Sequence, residues 1–212
     1  MLKLLDLFCC AGGAGMGYHL AGFDVTGVDI APQPRYPFQF VQGDALEYLA
    51  AHGHEFDVIH ASPPCQGYCK QTGMEYRGNH PKLIGEMQRM LRATGKPYVI
   101  ENVEGARFAL KHPVMLCGTM FNLPIQRHRF FEINPYPSAL LPGCDHSGEI
   151  VYITGTPRPK FGPRKDPPAD VKRAALGTPW MTIVDMDEAI PPAFTEWIGH
   201  QLQSALRQQL AS

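Results

Sequence analysis

Up to about residue 133 the chain alternates short apolar runs with glycine-rich or polar breaks. Leu2–Phe8, Phe23–Val28, Phe38–Val41, Phe56–Ile59, Tyr98–Ile100 and Phe130–Ile133 are brief and nearly continuous in apolar residues, as strands buried on both faces require. Between them the spacing turns helical. One helix begins at Tyr18-His19-Leu20-Ala21 and stops at Gly22, a second covers Ala45–Ala51, and a third covers residues 81–94. In the third, Leu83, Ile84, Met87, Met90 and Leu91 form the sheet-facing side, the methionines serving as core filler. Strand and helix in alternation predict an α/β fold with a mainly parallel sheet. Residues 134–178 break the pattern: they are rich in proline and glycine, with one strand-like run, Ile150–Thr154, and a basic stretch from Arg158 to Lys165. Two short helices follow, the last over Pro192–Leu210 with Phe194, Trp197, Ile198, Leu202, Ala205 and Leu210 close to helical spacing. The expected division is a core at 1–133, a small insert at 134–178, and a C-terminal segment at 179–212 that returns to the core.

Composition narrows the class. A chain of 212 residues suits one domain of ordinary size with a small appendage. With 44% hydrophobic content, no window approaches the ~20 apolar residues that cross a bilayer. Met1-Leu2-Lys3 runs directly into the first strand, so no leader is expected. Six irregularly spaced cysteines then read as reduced thiols. The expectation is a soluble cytoplasmic protein with no evident protein partner. Net charge is −1, so any attraction for nucleic acid is local, from Arg127, Arg129, Arg158, Lys160, Arg164, Lys165 and Arg173. Cys144 and His146, with Cys117, are metal-ligand types, but two or three ligands without a CxxC pair are a weak set, and no metal is expected.

Three segments carry chemistry. Ser62-Pro63-Pro64-Cys65-Gln66 puts a thiol on a stiff loop just past the apolar run Phe56–Ile59. Two prolines fix successive φ angles, and the carboxyl end of a strand is where an open α/β sheet places its ligands. Cys65 is thus a nucleophile candidate, although a lone cysteine is more often simply packed. The first strand leads into Cys9-Cys10-Ala11-Gly12-Gly13-Ala14-Gly15-Met16-Gly17, and the second ends in Asp29. Strand, glycine loop, helix, strand and acid form a nucleoside-binding plan in which the acid takes ribose hydroxyls. The glycine spacing is not G-x-G-x-x-G, so the alternative of a turn without a ligand stays open. The third segment, Tyr98–Glu104, ends its strand in Glu101-Asn102, on the same sheet edge as Cys65. There Glu101 is either a solvated charge or a general acid whose pKa is raised by partial burial.

With these segments in order, the chain resembles the cytosine carbon-5 DNA methyltransferases. The matching residues are Asp6-Leu7-Phe8 with Gly12-Gly13, Asp29, Gly43-Asp44, Pro63-Pro64-Cys65-Gln66, Glu101-Asn102-Val103 and Arg127-His128-Arg129. Ile190–Gly199 is similar to the last helix of small phage-type members. Cys10 stands where that pattern usually has glycine, Gln126 adjoins Arg127 directly, and His60 occupies a position where an acid is often found.

The resemblance implies a Rossmann-like S-adenosylmethionine-dependent methyltransferase sheet with a small loop-rich insert. It implies methyl transfer to carbon 5 of a flipped cytosine in DNA through a covalent Cys65 adduct, leaving S-adenosylhomocysteine. Glu101 would donate to ring nitrogen 3, Asn102 would hold the adjoining loop, and Arg127 and Arg129 would orient the base and the acid. The same arginines also read as a basic edge strand facing solvent or phosphate. Phe8, Gly12 and Gly13 would contact the methionine part of the cofactor, Asp29 the ribose, and Gly43 and Asp44 the adenine, with Ile30 and Pro63 also in the cofactor site. Asp44 also suits the amino-terminal cap of a helix. The 134–178 insert would be a reduced target-recognition region, its basic stretch gripping phosphates. Residues 67–80 would form a loop closing over the flipped base. An RNA cytosine methyltransferase, or a catalytically weak nucleic-acid-binding relative, would use much of the same framework.

Overall fold

The computed structural model describes residues 1–68, 82–139, 141–154 and 166–211. Seven strands form one sheet: β1 (Lys3–Leu7), β2 (Asp24–Asp29), β3 (Gln39–Gln42), β4 (Val58–Ala61), β5 (Tyr98–Asn102), β6 (Val114–Leu116) and β7 (Arg129–Asn134), in the order β3-β2-β1-β4-β5-β7-β6. Strands β1 to β5 are mutually parallel, while β7 runs antiparallel to both β5 and β6. The α/β, Rossmann-like expectation is borne out.

The continuous apolar runs divide between two faces because successive strand side chains point in opposite directions. Leu4, Val58 and Val99 join one buried cluster, and Leu5, Ile59 and Ile100 the other. The first face is covered by α1 (Gly13–Leu20) and the long α6 (Pro192–Ala211), through Tyr18, Phe194, Ile198 and Leu202. Helices α1 and α6 approach closely, and the Thr195 hydroxyl donates to the Ala14 carbonyl at 2.8 Å. The second face is covered by α2 (Ala45–His52) and α3 (Ile84–Thr94), with Leu49, Ile84, Met87 and Leu91 buried.

Antiparallel β7 is locked in place by a buried carboxylate. Glu132 accepts hydrogen bonds from Gln88 at 2.6 Å, Tyr98 at 3.0 Å and the Lys111 backbone at 2.8 Å, and Arg92 lies 3.3 Å away. This network fixes the strand whose first residue is Arg129.

The segment read as loop-rich contains α4 (Ala169–Leu176), and α5 (Ile183–Glu188) follows it. Ala175, Leu176, Met181 and Met186 join Ile153 in a third buried cluster against Ala11 and Ile125. The run Ile150–Thr154 does not form a strand. Val151 packs against the third cluster, and its N–H donates to the Pro124 carbonyl at 2.7 Å. The apolar side chains of this run wall a cavity instead. The expected closing loop falls at residues 69–80 on positions outside the description, as do Arg158, Lys160, Arg164 and Lys165 of the basic stretch.

Candidate active site

The parallel register places the carboxyl ends of β1, β2, β4 and β5 on one edge, with Asp6 beside His60 and His60 beside Val99. A cavity of about 860 Å³ opens there, large enough for a nucleoside-sized ligand together with a base. Phe8 just past β1, Asp29 from β2, Cys65 from the loop after β4, Glu101 from β5 and both arginines line it.

Glu101 and Arg129 meet because of strand register. Glu101 pairs with Phe131 across the antiparallel β5–β7 ladder, so Arg129, two residues from Phe131, lies on the same face at the diagonal. Arg129 Nε is 3.0 Å from Glu101 Oε1, as a charge contact without hydrogen-bond alignment. Burial raises the Glu101 pKa above 4.5, and the charges of Arg129 and Arg127 oppose the shift. The direction is the one expected of a carboxyl held ready to donate.

Arg127 is 7% exposed and donates to the Asp187 carbonyl at 2.6 Å. Burial and Arg129 both disfavour its charge, whereas Glu101, Asp187 and Cys65 favour it. The alternative of two solvent-facing arginines on an edge strand is set aside by this burial. Asn102 lies beneath the cavity, 1% exposed. It donates from Nδ2 to the Pro63 carbonyl at 2.9 Å, while its Oδ1 accepts from the Val103 N–H at 3.0 Å.

Asp29 ends β2 with its carboxylate held by two backbone donors, Cys10 N–H and Ala31 N–H, each at 3.0 Å. Each oxygen retains a lone-pair direction for a further donor. Ile30 beside it is 73% exposed, and both residues, with Pro63 and Gly13, line the cavity. Gly12 does not. It takes φ +82°, and a Cβ there would meet Pro37 and Tyr36 at 2.9–3.0 Å. Gly13 is needed for packing, since a Cβ would lie 2.4 Å from the Ile190 carbonyl. Gly43 and Asp44 also stand outside the cavity wall. Gly43 donates to the Asp29 carbonyl at 3.0 Å, and Asp44 caps α2 by accepting from Leu46 and Glu47 N–H. Cys10, where glycine is usual, adopts φ +45°, and Phe8 adopts φ +58°. The loop thus holds its glycine-like shape without a glycine, at some local strain.

A family model describing the C-5 cytosine-specific DNA methylase matches residues 2–116, which carry the glycine loop, Asp29, Cys65 and Glu101. The chain belongs to that family. It is a methyltransferase enzyme with a Rossmann-like sheet. The type II methyltransferase M.AquIA of Picosynechococcus is 27% identical over 90% of this chain and 90% of its own length. The type II methyltransferase M.XorII of Xanthomonas oryzae is 31% identical over 48% of this chain and 28% of its own length. The methyltransferase thus spans nearly all of one relative and under a third of the other. Among solved structures, the Entamoeba histolytica methyltransferase EhMeth superposes with a TM-score of 0.66 over 97% of this chain and 99% of its own, at 12% identity. This shares the fold alone.

Several contacts of the methyltransferase site carried no signal in the sequence. His60 is fully buried, bonded to the Tyr18 hydroxyl at 2.9 Å and the Ser62 hydroxyl at 2.8 Å, which ties α1 to the start of the thiol loop. Burial lowers its pKa to about 3, so it is neutral. Asp6 is fully buried under the glycine loop, accepting from the Tyr36 hydroxyl at 3.1 Å, and burial raises its pKa to about 8. The last turn of α5 supplies the Asp187 carbonyl to Arg127, and Trp180 Nε1–H donates to the Ala11 carbonyl at 2.8 Å. Both are long-range meetings with no local spacing to announce them.

Proposed function

We propose that the protein transfers a methyl group from S-adenosylmethionine to carbon 5 of a flipped cytosine in DNA, through a covalent adduct at Cys65. One observation carries this reading. Three buried polar atoms on the cavity wall, Gln66 Oε1, Glu101 Oε1 and Arg127 Nε, have no hydrogen-bond partner among the described residues. Buried polar groups are seldom left so. An acceptor, an acid and a donor around one thiol suit a polar heteroaromatic ring with its own donors and acceptors.

The residues also fit the cofactor. The fixed Asp29 carboxylate, exposed Ile30 and the Phe8 ring share one end of the cavity, and would hold a nucleoside by its ribose hydroxyls and apolar face. Gly43 and Asp44 would contact the adenine from the rim, since capping α2 occupies Asp44 Oδ1 and leaves its second oxygen available. Bound there, S-adenosylmethionine supplies an electrophilic methyl on a sulfonium.

Carbon 5 of cytosine is too weak a nucleophile to take that methyl unaided. The Cys65 thiolate adds to carbon 6, forming a C–S bond and pushing electron density toward carbon 5 and ring nitrogen 3. Protonated Glu101 donates at nitrogen 3 as charge gathers there. Arg129 holds the carboxyl, and Arg127 orients the base carbonyl. Once carbon 5 is methylated, water removes its proton, the C–S bond breaks and the thiolate leaves.

A base inside a duplex cannot reach this thiol, so the target leaves the stack. The segment 134–178 would supply a minimal target-recognition surface. No helix among the described residues is long and apolar enough to cross a membrane, and the bacterial relatives suit action in the cytoplasm. The test is transfer of labelled methyl from S-adenosylmethionine to DNA and, in parallel, to tRNA, followed by bisulfite sequencing of the DNA. Label at carbon 5 of cytosine in DNA is expected. Label in tRNA alone would move the assignment to RNA, and label in neither would remove it.

A further inference from the structure

We propose that Cys117, His128, Cys144 and His146 form a structural zinc site that clamps the 141–154 segment to the catalytic arginine strand. Their four ligand atoms all lie within 4.8 Å of one another. The sequence suggested Cys144 and His146, with Cys117; the fold brings in His128, which the sequence had placed only within the arginine motif. Arg127 and Arg129 line the cavity, whereas His128 between them meets His146 and Cys144.

The spacing is that of a coordination shell. His128 Nε2 and His146 Nε2 are 3.4 Å apart, Cys117 Sγ and His146 Nε2 3.2 Å, and Cys144 Sγ and His128 Nε2 3.9 Å. Tetrahedral zinc, with bonds of about 2.3 Å to sulfur and about 2.0 Å to nitrogen, sets ligand edges of about 3.3 Å between nitrogens and about 3.6 Å between nitrogen and sulfur. Two imidazole nitrogens facing each other at hydrogen-bond distance can share only one proton, whereas a metal between them uses both lone pairs. A Cys2His2 set in this geometry selects zinc over magnesium or calcium.

The surroundings support the ligands. Thr119 Oγ1 lies 3.4 Å from Cys117 Sγ, where its hydroxyl can donate to a thiolate. Asp145 Oδ1 accepts from the Ser147 N–H at 2.9 Å, shaping the turn that presents Cys144 and His146 together. Cys117 follows edge strand β6 and His128 immediately precedes β7. The ion would therefore bind the sheet edge to a segment that has little regular structure of its own. That segment continues into Ile150–Thr154, part of the cavity wall, so the clamp would hold one side of the active site.

The test is the metal content of the full chain, purified without chelator under reducing conditions and measured by elemental mass spectrometry. About one zinc per chain is expected, falling to below about a tenth in Cys144→Ser and in His146→Ala. Neither residue is buried, so their loss spares the core; should either variant fail to fold, cobalt in the wild-type chain decides. Cobalt loaded in place of zinc should give the absorption of a tetrahedral site with thiolate charge transfer, and chelation should lower the melting temperature and admit protease within 141–154. Substoichiometric zinc with no tetrahedral cobalt spectrum would overturn the proposal. So would full zinc retention in the Cys144→Ser, His146→Ala double variant, or a disulfide joining Cys117 to Cys144.

Discussion

Asn102 Nδ2 donates to the Pro63 carbonyl at 2.9 Å, so the strand that ends in Glu101 also holds the loop that carries Cys65. The two groups assigned to opposite sides of a pyrimidine share one buried amide. The other Asn102 atom accepts from its neighbour Val103, which leaves the side chain no freedom to turn.

Asn102→Ala is expected to lower kcat about 10- to 100-fold, since small displacements of a nucleophile are costly. It should also cost about 1–3 kcal/mol of stability by orphaning the Pro63 carbonyl. Steady-state kinetics and chemical unfolding check both. A positioning role predicts unchanged cofactor affinity, so a matching loss in cofactor Kd would count against it.

Glu101→Gln is expected to lower kcat by about 10²–10³. Its pKa is raised by burial, so the wild-type rate should fall as pH rises through that raised value and the donor is lost. Glutamine has no such proton to lose. The alkaline limb assigned to this carboxyl should therefore be absent from the variant's pH–rate profile.

Two buried groups set opposing pH dependences of stability. Asp6 is raised from 3.8 to about 8: the folded state keeps a proton that the unfolded state has released. Its stabilisation is complete below pH 3.8 and is lost as pH rises through 8. His60 is lowered from 6.5 to about 3: the unfolded state gains a proton that the folded state refuses, so stability is lost as pH falls from 6.5 toward 3. Above pH 6.5 Asp6 acts without that opposition. Stability should decline by about 2 kcal/mol between pH 6.5 and 8, and Asp6→Asn should remove this decline in denaturant titrations at each pH.

Cys10 holds φ +45°, a conformation that costs an L-residue roughly 1–2 kcal/mol. Cys10→Gly relieves it, at some cost in unfolded-chain entropy. The net expectation is a gain of up to about 1 kcal/mol in chemical unfolding, with methyl transfer retained. A clear loss of stability would show that the thiol makes a contact worth more than the strain.

What the sequence disclosed depended on locality. Strand β1 with its glycine loop, Asp29 after β2, the Pro-Pro-Cys loop and Glu101-Asn102 each announce themselves within a few residues, and in a parallel sheet the strand ends fall on one edge automatically. Contacts between distant segments carried no such mark. The Tyr18–His60–Ser62 relay, the Asp187 carbonyl under Arg127, and the approach of His128 to Cys144 and His146 exist only once the chain is folded. Ile150–Thr154 had strand composition, yet Ile153 and Val151 pack on the third cluster and the run walls the cavity, so tertiary packing overrode propensity.

The central claim is that the Cys65 sulfur bonds to carbon 6 of the target cytosine. Incubating the enzyme and S-adenosylmethionine with duplex DNA containing 5-fluorocytosine tests it directly, because fluorine at carbon 5 cannot leave as a proton and the adduct persists. Mass spectrometry should find the DNA attached at Cys65 in the wild type and no attachment in Cys65→Ser. Turnover on normal DNA without any adduct at that sulfur would contradict the account.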